Sequence, residues 1–389
     1  MTACFPVAHP LPSLWLEGNP FEDYRSTPEL PTHADIVVVG TGLSGSSTVL
    51  ELSKTPNLSV LVLEARGASS GATGRNGGHL TPLSFRDYRL DCQLHGQAYA
   101  LAVRDFEMQN YQELRTLIDT EDIQCHFQND SGNVQLYCDV DAYQEALEDL
   151  RVWKADGGNA AGVQVLDAEK AKQMSPLAVG AIRIPASQLT PPVFCWHILQ
   201  QALRNPKINL QTHTPVTGID PVNHSETCGP WTIKTPRGTV TASKVILCTN
   251  GWSRHFNLVD IVPVRAQVTA YQNLPEIEQH EHFGFSAHHG AEYMHERAFD
   301  HTVVLGGARD KVPGQEIGVW NDAEINPRVA QGLDDYLASH FPRMCQRSSS
   351  LLLPVRKRWT GIMGYTASGR PYIGETKNES NVYICAGFK

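Results

Sequence analysis

Three glycines and one acid carry the most specific chemistry in this chain: Gly40-Thr41-Gly42-Leu43-Ser44-Gly45, and Glu64 placed 24 positions after the first glycine. Gly40 permits a tight turn, Gly42 lets backbone approach a pyrophosphate, and Gly45 lets a helix pack closely on a strand. The helix that opens here offers unpaired N–H groups and its positive end to a phosphate. Glu64 can accept hydrogen bonds from both hydroxyls of an adenosine ribose, and it repels a 2′-phosphate, which disfavours NADP. Ala65-Arg66 follows the acid, and then a second run, Gly71-Ala72-Thr73-Gly74-Arg75-Asn76-Gly77-Gly78-His79. Its four glycines let the backbone lie along a flat ligand, and NAD gives no evident reason for such a segment.

Other side chains invite weighing. Arg265 and Arg309 are the candidates for gripping an anionic substrate, because a guanidinium fork matches a carboxylate; the alternative is an ion pair between sheet and helix. Tyr293 is a candidate for closing a pocket or for an ordinary core position. Arg75 either approaches the ligand or braces its own loop, and His79 either faces the ligand or packs. His280, His282, His288 and His289 lack acidic or cysteine partners at metal-ligand spacing, so no metal site is expected. Neither a Ser-His-Asp order nor a P-loop is present.

These residues need a scaffold. Ile36-Val37-Val38-Val39 is a continuous apolar run within a strand over 34–39, as in a parallel sheet covered on both faces. A helix over 43–53 and a strand over 58–63 complete a right-handed βαβ unit. Apolar spacing predicts helices over 97–120, 141–154 and 326–339, and Thr190-Pro191-Pro192 opens another. Residues 231–250 read as a hairpin turning at Pro236-Arg237-Gly238, followed by a separate buried strand over 245–248, and 262–310 is strand-rich. Residues 1–33, with six prolines, read as an extended arm anchored by Trp15 and Phe21.

At 389 residues, two domains are expected. Composition is ordinary for a globular protein, with 41% apolar and 19% charged residues. A net charge of −9 without a basic run argues against nucleic acid. No apolar stretch is long enough to span a bilayer. Nine scattered cysteines without a C-x-x-C pattern suit reduced thiols, and the expected location is cytoplasmic.

With these motifs in hand, the chain resembles the FAD-dependent amine and amino-acid oxidoreductases of the D-amino-acid-oxidase superfamily, and most of all the gamma-glutamylputrescine oxidoreductase type and its fungal relatives, whose second segment reads S/T-G-R-N-G-G. Leu30-Pro31-Thr32-His33-Ala34-Asp35, Cys248-Thr249-Asn250-Gly251, Val262-Pro263-Val264-Arg265-Ala266-Gln267, Leu305-Gly306-Gly307-Ala308-Arg309 and the late Trp359-Thr360-Gly361-Ile362-Met363-Gly364-Tyr365-Thr366 block with Pro371-Tyr372-Ile373-Gly374 each resemble a family segment in order. The resemblance implies an α/β fold with a Rossmann-like FAD domain (34–95, about 160–260 and about 340–389) and a sheet-plus-helix substrate domain (about 96–159 and about 261–339). It implies FAD contacts along the two glycine segments, at Glu64, Ala65 and Arg66, and at Val216, Thr249, Asn250, Gly251, Gly361 and Ile362. No cysteine stands between Cys345 and Cys385, so the FAD is expected to be non-covalent.

The implied reaction removes a hydride equivalent from a carbon bearing an amine of a small amine or amino-acid-like substrate. The imine is hydrolysed, and oxygen or another electron acceptor reoxidises the flavin. A tailoring oxidase of a secondary metabolite fits the same residues. Two departures stand out: Ser368 replaces the family's aspartate, and the family continues past Ala386-Gly387-Phe388 with a Gly-His-Gly loop and closing helix, whereas the sequence ends at Lys389. A second expectation is therefore a shortened flavoprotein with weak FAD binding and little or no activity.

Overall fold

A computed structural model describes residues 5–129, 132–222, 229–272, 284–345, 352–377 and 379–389. Strand β1 (His33–Val39) stands at the centre of an eight-stranded sheet, flanked in parallel by β2 (Val60–Leu63) and by the strand Gly238–Leu247. Val38 sits opposite Val62 on one side and Ile246 on the other. The parallel set extends to Ile208–Gln211 beyond β2 and to Val382–Ala386 beyond Gly238–Leu247. Both faces of β1 are covered, which is why its apolar run is continuous: Val37 and Val38 are fully buried, in separate clusters on opposite sides. Helix α1 (Leu43–Ser53) follows β1 directly and packs with the helix Pro191–Ala202 on one face.

The expected hairpin is present, Trp231–Thr235 pairing antiparallel with Gly238–Leu247, but its second strand and the expected buried strand are one element. Gly238–Leu247 pairs with Trp231–Thr235 through its first half and with Val382–Ala386 through its second, while β1 lies along its other edge. No turn residue interrupts it, so the chain continues straight from one neighbour to the next.

The second eight-stranded sheet is built mainly of antiparallel pairs around Val262–Gln272 and Val355–Tyr365, with the helix Pro327–His340 packed on it. Its membership departs from the expected division. Val355–Tyr365, grouped by sequence with the dinucleotide-binding unit, aligns Met363 with Val264 in this sheet, and Gly180–Ile184 pairs with Asn133–Tyr137. The long strand pairs along its length with Val262–Gln272 at the edge of this sheet. The helix Tyr88–His95 has no counterpart in the sequence reading, since Leu90 and Leu94 are 52% and 64% exposed and give no core-facing stripe. The described cysteines are free thiols. Among the described residues, no helix is long and apolar enough to cross a membrane.

The N-terminal arm is a structural part. Trp15 and Phe21 are buried, and Trp15 Nε1 donates to the Asn76 carbonyl at 2.5 Å. Trp15 also meets Trp359 edge-on, at 6.3 Å between ring centres. Losing a large buried aromatic of this kind costs about 3–5 kcal/mol. Trp15→Ala is expected to lower the guanidinium unfolding midpoint accordingly with little change in slope; an unchanged midpoint would show that the arm is not anchored there.

Candidate active site

A cavity of about 1220 Å³ runs from the β1–α1 turn to the second sheet. Ordinary ligand pockets are about 300–1,000 Å³, so there is room for an extended molecule. The glycines at its inner end are demanded by contact. Gly40 has φ +102, and a Cβ there would stand 2.6 Å from the Cys248 carbonyl oxygen. A Cβ on Gly45 would stand 2.0 Å from Gly40 O, and one on Gly42 would stand 3.0 Å from Thr73 Oγ1. Ser44 lines the cavity in the first turn of α1, where backbone N–H groups lack helical partners. One of these amides is already used, since Leu43 N donates to Thr73 Oγ1 at 2.8 Å.

Glu64 stands at the end of β2, 8% exposed, on the cavity wall. It accepts from Thr41 N (2.9 Å), Thr41 Oγ1 (2.6 Å) and Arg66 N (3.0 Å). A carboxylate has about four acceptor positions, so Glu64 has capacity left for one ribose hydroxyl rather than the two expected. A buried acid, a turn that admits no side chain and a helix start at one end of a long cleft fit the adenosine and pyrophosphate half of FAD.

Of the remaining sequence candidates, Thr41, Leu43, Ala65, Arg66, Gly71, Ala72, Thr73, Arg75, Asn76, Gly77, Val216, Thr249, Asn250 and Gly361 line the same cavity. Gly45, Gly74, Gly78, Gly251 and Ile362 do not, and each has a packing reason. A Cβ on Gly74 would meet Ser69 O at 2.5 Å, one on Gly78 would meet Leu189 O at 2.8 Å, and one on Gly251 would meet Met363 O at 2.7 Å. Ile362 is fully buried against Trp252.

Charge matching separates the arginines. Arg265 is not in the cavity wall: its Nε donates to Glu316 at 2.5 Å, so the substrate role expected for it gives way to an ion pair. Arg66 and Arg75 share the fully buried Asp322, at 2.9 and 3.4 Å. Arg75 braces its loop, donating to the carbonyls of Ser70, Leu11 and Thr360. Burial lowers its pKa to about 10, with Asp322 opposing. At the mouth, Arg370 lies 3.0 Å from Asp91 and Arg86 lies 4.0 Å from Asp87. Arg309 lines the cavity and has no acidic partner within 4 Å among the described residues; its Nη2 donates to the Tyr365 hydroxyl at 2.9 Å, and it lies over that ring.

Tyr293 occupies a slot made by two glycines, since a Cβ on Gly77 or on Gly306 would come within 2.3 Å of its ring. It lines the cavity, and burial pushes its pKa up to about 12 against the pull of Arg309. His79 stands beside it, 5.6 Å between ring centres, with neither ring nitrogen hydrogen-bonded among the described residues. Burial holds His79 well below the ordinary histidine range, with His295 adding to the effect, so it is a neutral polar group. Trp252, Met363 and Tyr365 also line the cavity and were missed, although each stands inside or next to a motif already singled out. His280 and His282 lie outside the described residues; among those described, no group of three or more His, Cys, Asp or Glu side chains is placed to hold a metal.

A doubly covered parallel sheet, a glycine turn, a terminal acid and a cleft running to a second sheet define a dinucleotide-dependent oxidoreductase. Its family model, FAD dependent oxidoreductase, matches residues 35–389, and the chain belongs to that family. Solved structures share the fold. Glycine oxidase from Geobacillus kaustophilus is 20% identical with a TM-score of 0.68, covering 92% of this chain and 89% of that one. L-amino acid deaminase from Proteus vulgaris, with its specific insertion deleted, is 17% identical with a TM-score of 0.70, covering 96% and 90%. L-alpha-glycerophosphate oxidase from Mycoplasma pneumoniae, with FAD bound, is 16% identical with a TM-score of 0.68, covering 91% and 89%. No curated protein sequence matches the chain.

Two substitutions test the inner end. Glu64→Arg replaces the acceptor by a cation, and Gly42→Val drives a side chain into Thr73. Both variants are expected to purify with little flavin, measured by absorbance against protein; normal flavin content in Glu64→Arg would contradict the placement.

Proposed function

We propose that this FAD-dependent oxidoreductase acts on amines that carry a carboxylate, and that Arg309 and Tyr293 are the substrate-facing side chains. The observation that carries the reading is the contrast among arginines: every other arginine lining the cavity has a carboxylate of the chain within 4 Å, and Arg309 has none among the described residues. An unpaired guanidinium in a cleft is suited to a bidentate anion. Tyr293, whose hydroxyl stays protonated across the physiological range, offers a neutral donor close by. That glycine oxidase and L-amino acid deaminase share the fold, and that the 73–78 segment reads T-G-R-N-G-G, supports an amine substrate.

The sheet around β1 with the glycine segments then forms the cofactor-binding unit, and the second sheet faces the substrate. Glu64 accepts a ribose hydroxyl, the amides of the first turn of α1 face the pyrophosphate, and Arg75, Trp15 and Trp359 hold the 71–78 loop in place. FAD, held without a covalent bond, supplies the two-electron acceptor, and oxygen or another acceptor completes the cycle. The protein's share is orientation: Arg309 fixes the carboxylate, Tyr293 and His79 present neutral polar groups, and the buried Ile362 packs behind Trp252, which is part of the wall.

The test is anaerobic reduction of the flavin by amine panels, followed by steady-state kinetics of Arg309→Lys. A charge-assisted bidentate pair is roughly twice as strong as a neutral hydrogen bond. Arg309→Lys is therefore expected to raise KM for carboxylate-bearing amines and to spare simple amines. Equal losses on charged and uncharged amines would make Arg309 structural, and reduction by dithionite but by no amine would overturn the amine reading.

A further inference from the structure

We propose that Glu292 is a positioning residue for Arg309, and that His288, on the other oxygen of the same carboxylate, ties the grip of Arg309 on an anion to the rim of the cavity. This rests on the substrate-facing role of Arg309 given above.

Glu292 opens the strand Glu292–Glu296 and is 6% exposed. Its Oε1 accepts from the Ala308 amide at 3.3 Å, and its Oε2 meets His288 Nδ1 at 2.6 Å. Opposite it, the chain leaves the strand Thr302–Gly306 through two consecutive left-handed residues, Gly307 (φ +133) and Ala308 (φ +55), before Arg309. A Cβ on Gly307 would stand 2.9 Å from Glu292 Cα, so the turn presses directly on this residue. Alanine is not a natural occupant of the left-handed region and persists there only where its surroundings hold it. The bond from Ala308 N to Glu292 is such a hold, one residue before the guanidinium. A turn released at Ala308 carries Arg309 off the Tyr365 hydroxyl that orients it.

His288 belongs to the short segment His288–Gly290, three successive positive-φ residues that line the cavity. The segment is held across the mouth: Arg86 donates to the His289 carbonyl at 3.2 Å, and His289 lies 3.6 Å from Asp87. Besides Glu292, the groups facing His288 are Asp310 and Lys311 from the turn after Arg309, and His340, whose ring lies 6.5 Å away on the helix Pro327–His340. His340 is itself pushed down to about 4 by burial and by His288, so it stays neutral. The hydrogen bond to Glu292 raises the His288 pKa, against burial and Lys311. A raised histidine pKa means that the ion pair is complete at low pH and that its charge is lost as pH rises through that raised value. Above it, His288 no longer sets a positive charge against the nearly buried Glu292, which keeps the Ala308 amide and a neutral imidazole.

The experiment is steady-state kinetics of the holoenzyme across that titration, with a carboxylate-bearing amine and its neutral counterpart. In the wild type, KM for the carboxylate-bearing amine is expected to rise roughly three- to tenfold as pH increases, the worth of about one hydrogen bond, while KM for the neutral amine does not follow. His288→Gln should remove the step. Glu292→Gln, which keeps an oxygen for the Ala308 amide but no charge, should hold KM near the low-pH wild-type value without a step. Glu292→Ala should raise KM at every pH, with kcat less affected; if it fails to fold, the two glutamine variants carry the test. Equal rises in both KM values for Glu292→Ala, or a pH step that survives in His288→Gln, would overturn the proposal. Should no amine reduce the flavin, the substrate reading fails separately. Calorimetric titration with acetate then decides the coupling, and an acetate affinity lowered by Arg309→Met but not by Glu292→Ala, or a pH step in acetate affinity that survives in Glu292→Gln, overturns it.

Discussion

The molecule depends on a close approach of backbone to backbone. The Gly40 carbonyl lies where a Cβ of residue 45 would be, and the Cys248 carbonyl lies where a Cβ of residue 40 would be. The β1–α1 turn therefore exists only with glycine at both places. From that contact the rest follows in order. Helix α1 can lie against the sheet, its first turn opens onto a cleft, and Thr41 comes within reach of Glu64 at the end of the neighbouring strand. Thr41 Oγ1 also accepts from Ser69 N at 3.0 Å, which links the turn to the start of the second glycine segment. The two halves of a long ligand site are thus built around one threonine.

Charge in the cleft is managed by the same economy of contact. A buried guanidinium without a counter-ion is strongly unfavourable, and the chain supplies Asp322 to Arg66 and Arg75 together and Glu316 to Arg265. Asp322 also ties in the arm, since its carbonyl accepts from Leu11 N at 2.9 Å. Arg309 is the departure from this pattern, half-buried and supported by a phenol instead of an acid.

Much of the scaffold was legible because it repeats. The helices Leu43–Ser53 and Gln97–Thr120 end where polar residues follow them, and the helix expected over 326–339 runs Pro327–His340, with Asn326 capping it through its side chain instead of opening it. Trp15 and Phe21 stood out as large apolar residues in a proline-rich arm. The illegible parts are those decided at a distance. Glu316, which takes Arg265 out of the site, is 51 positions away, and nothing in the spacing announces it. Arg309 and Arg265 carry the same signal in sequence and differ only in their partners, a phenol for one and Glu316 for the other. Tyr88–His95 hides its helical period because its leucines face the cleft, and Glu64 lost capacity for one hydroxyl to a neighbouring amide that only the fold brings near.

The central claim is that the 40–45 turn and Glu64 recognise the adenosine and pyrophosphate half of the cofactor. The most direct measurement is fluorescence titration of flavin-free protein with FAD and, separately, with FMN, which has the same ring but no adenosine. The account predicts stoichiometric binding of FAD and far weaker binding of FMN, with the difference lost in Glu64→Arg. FMN binding as tight as FAD would contradict it.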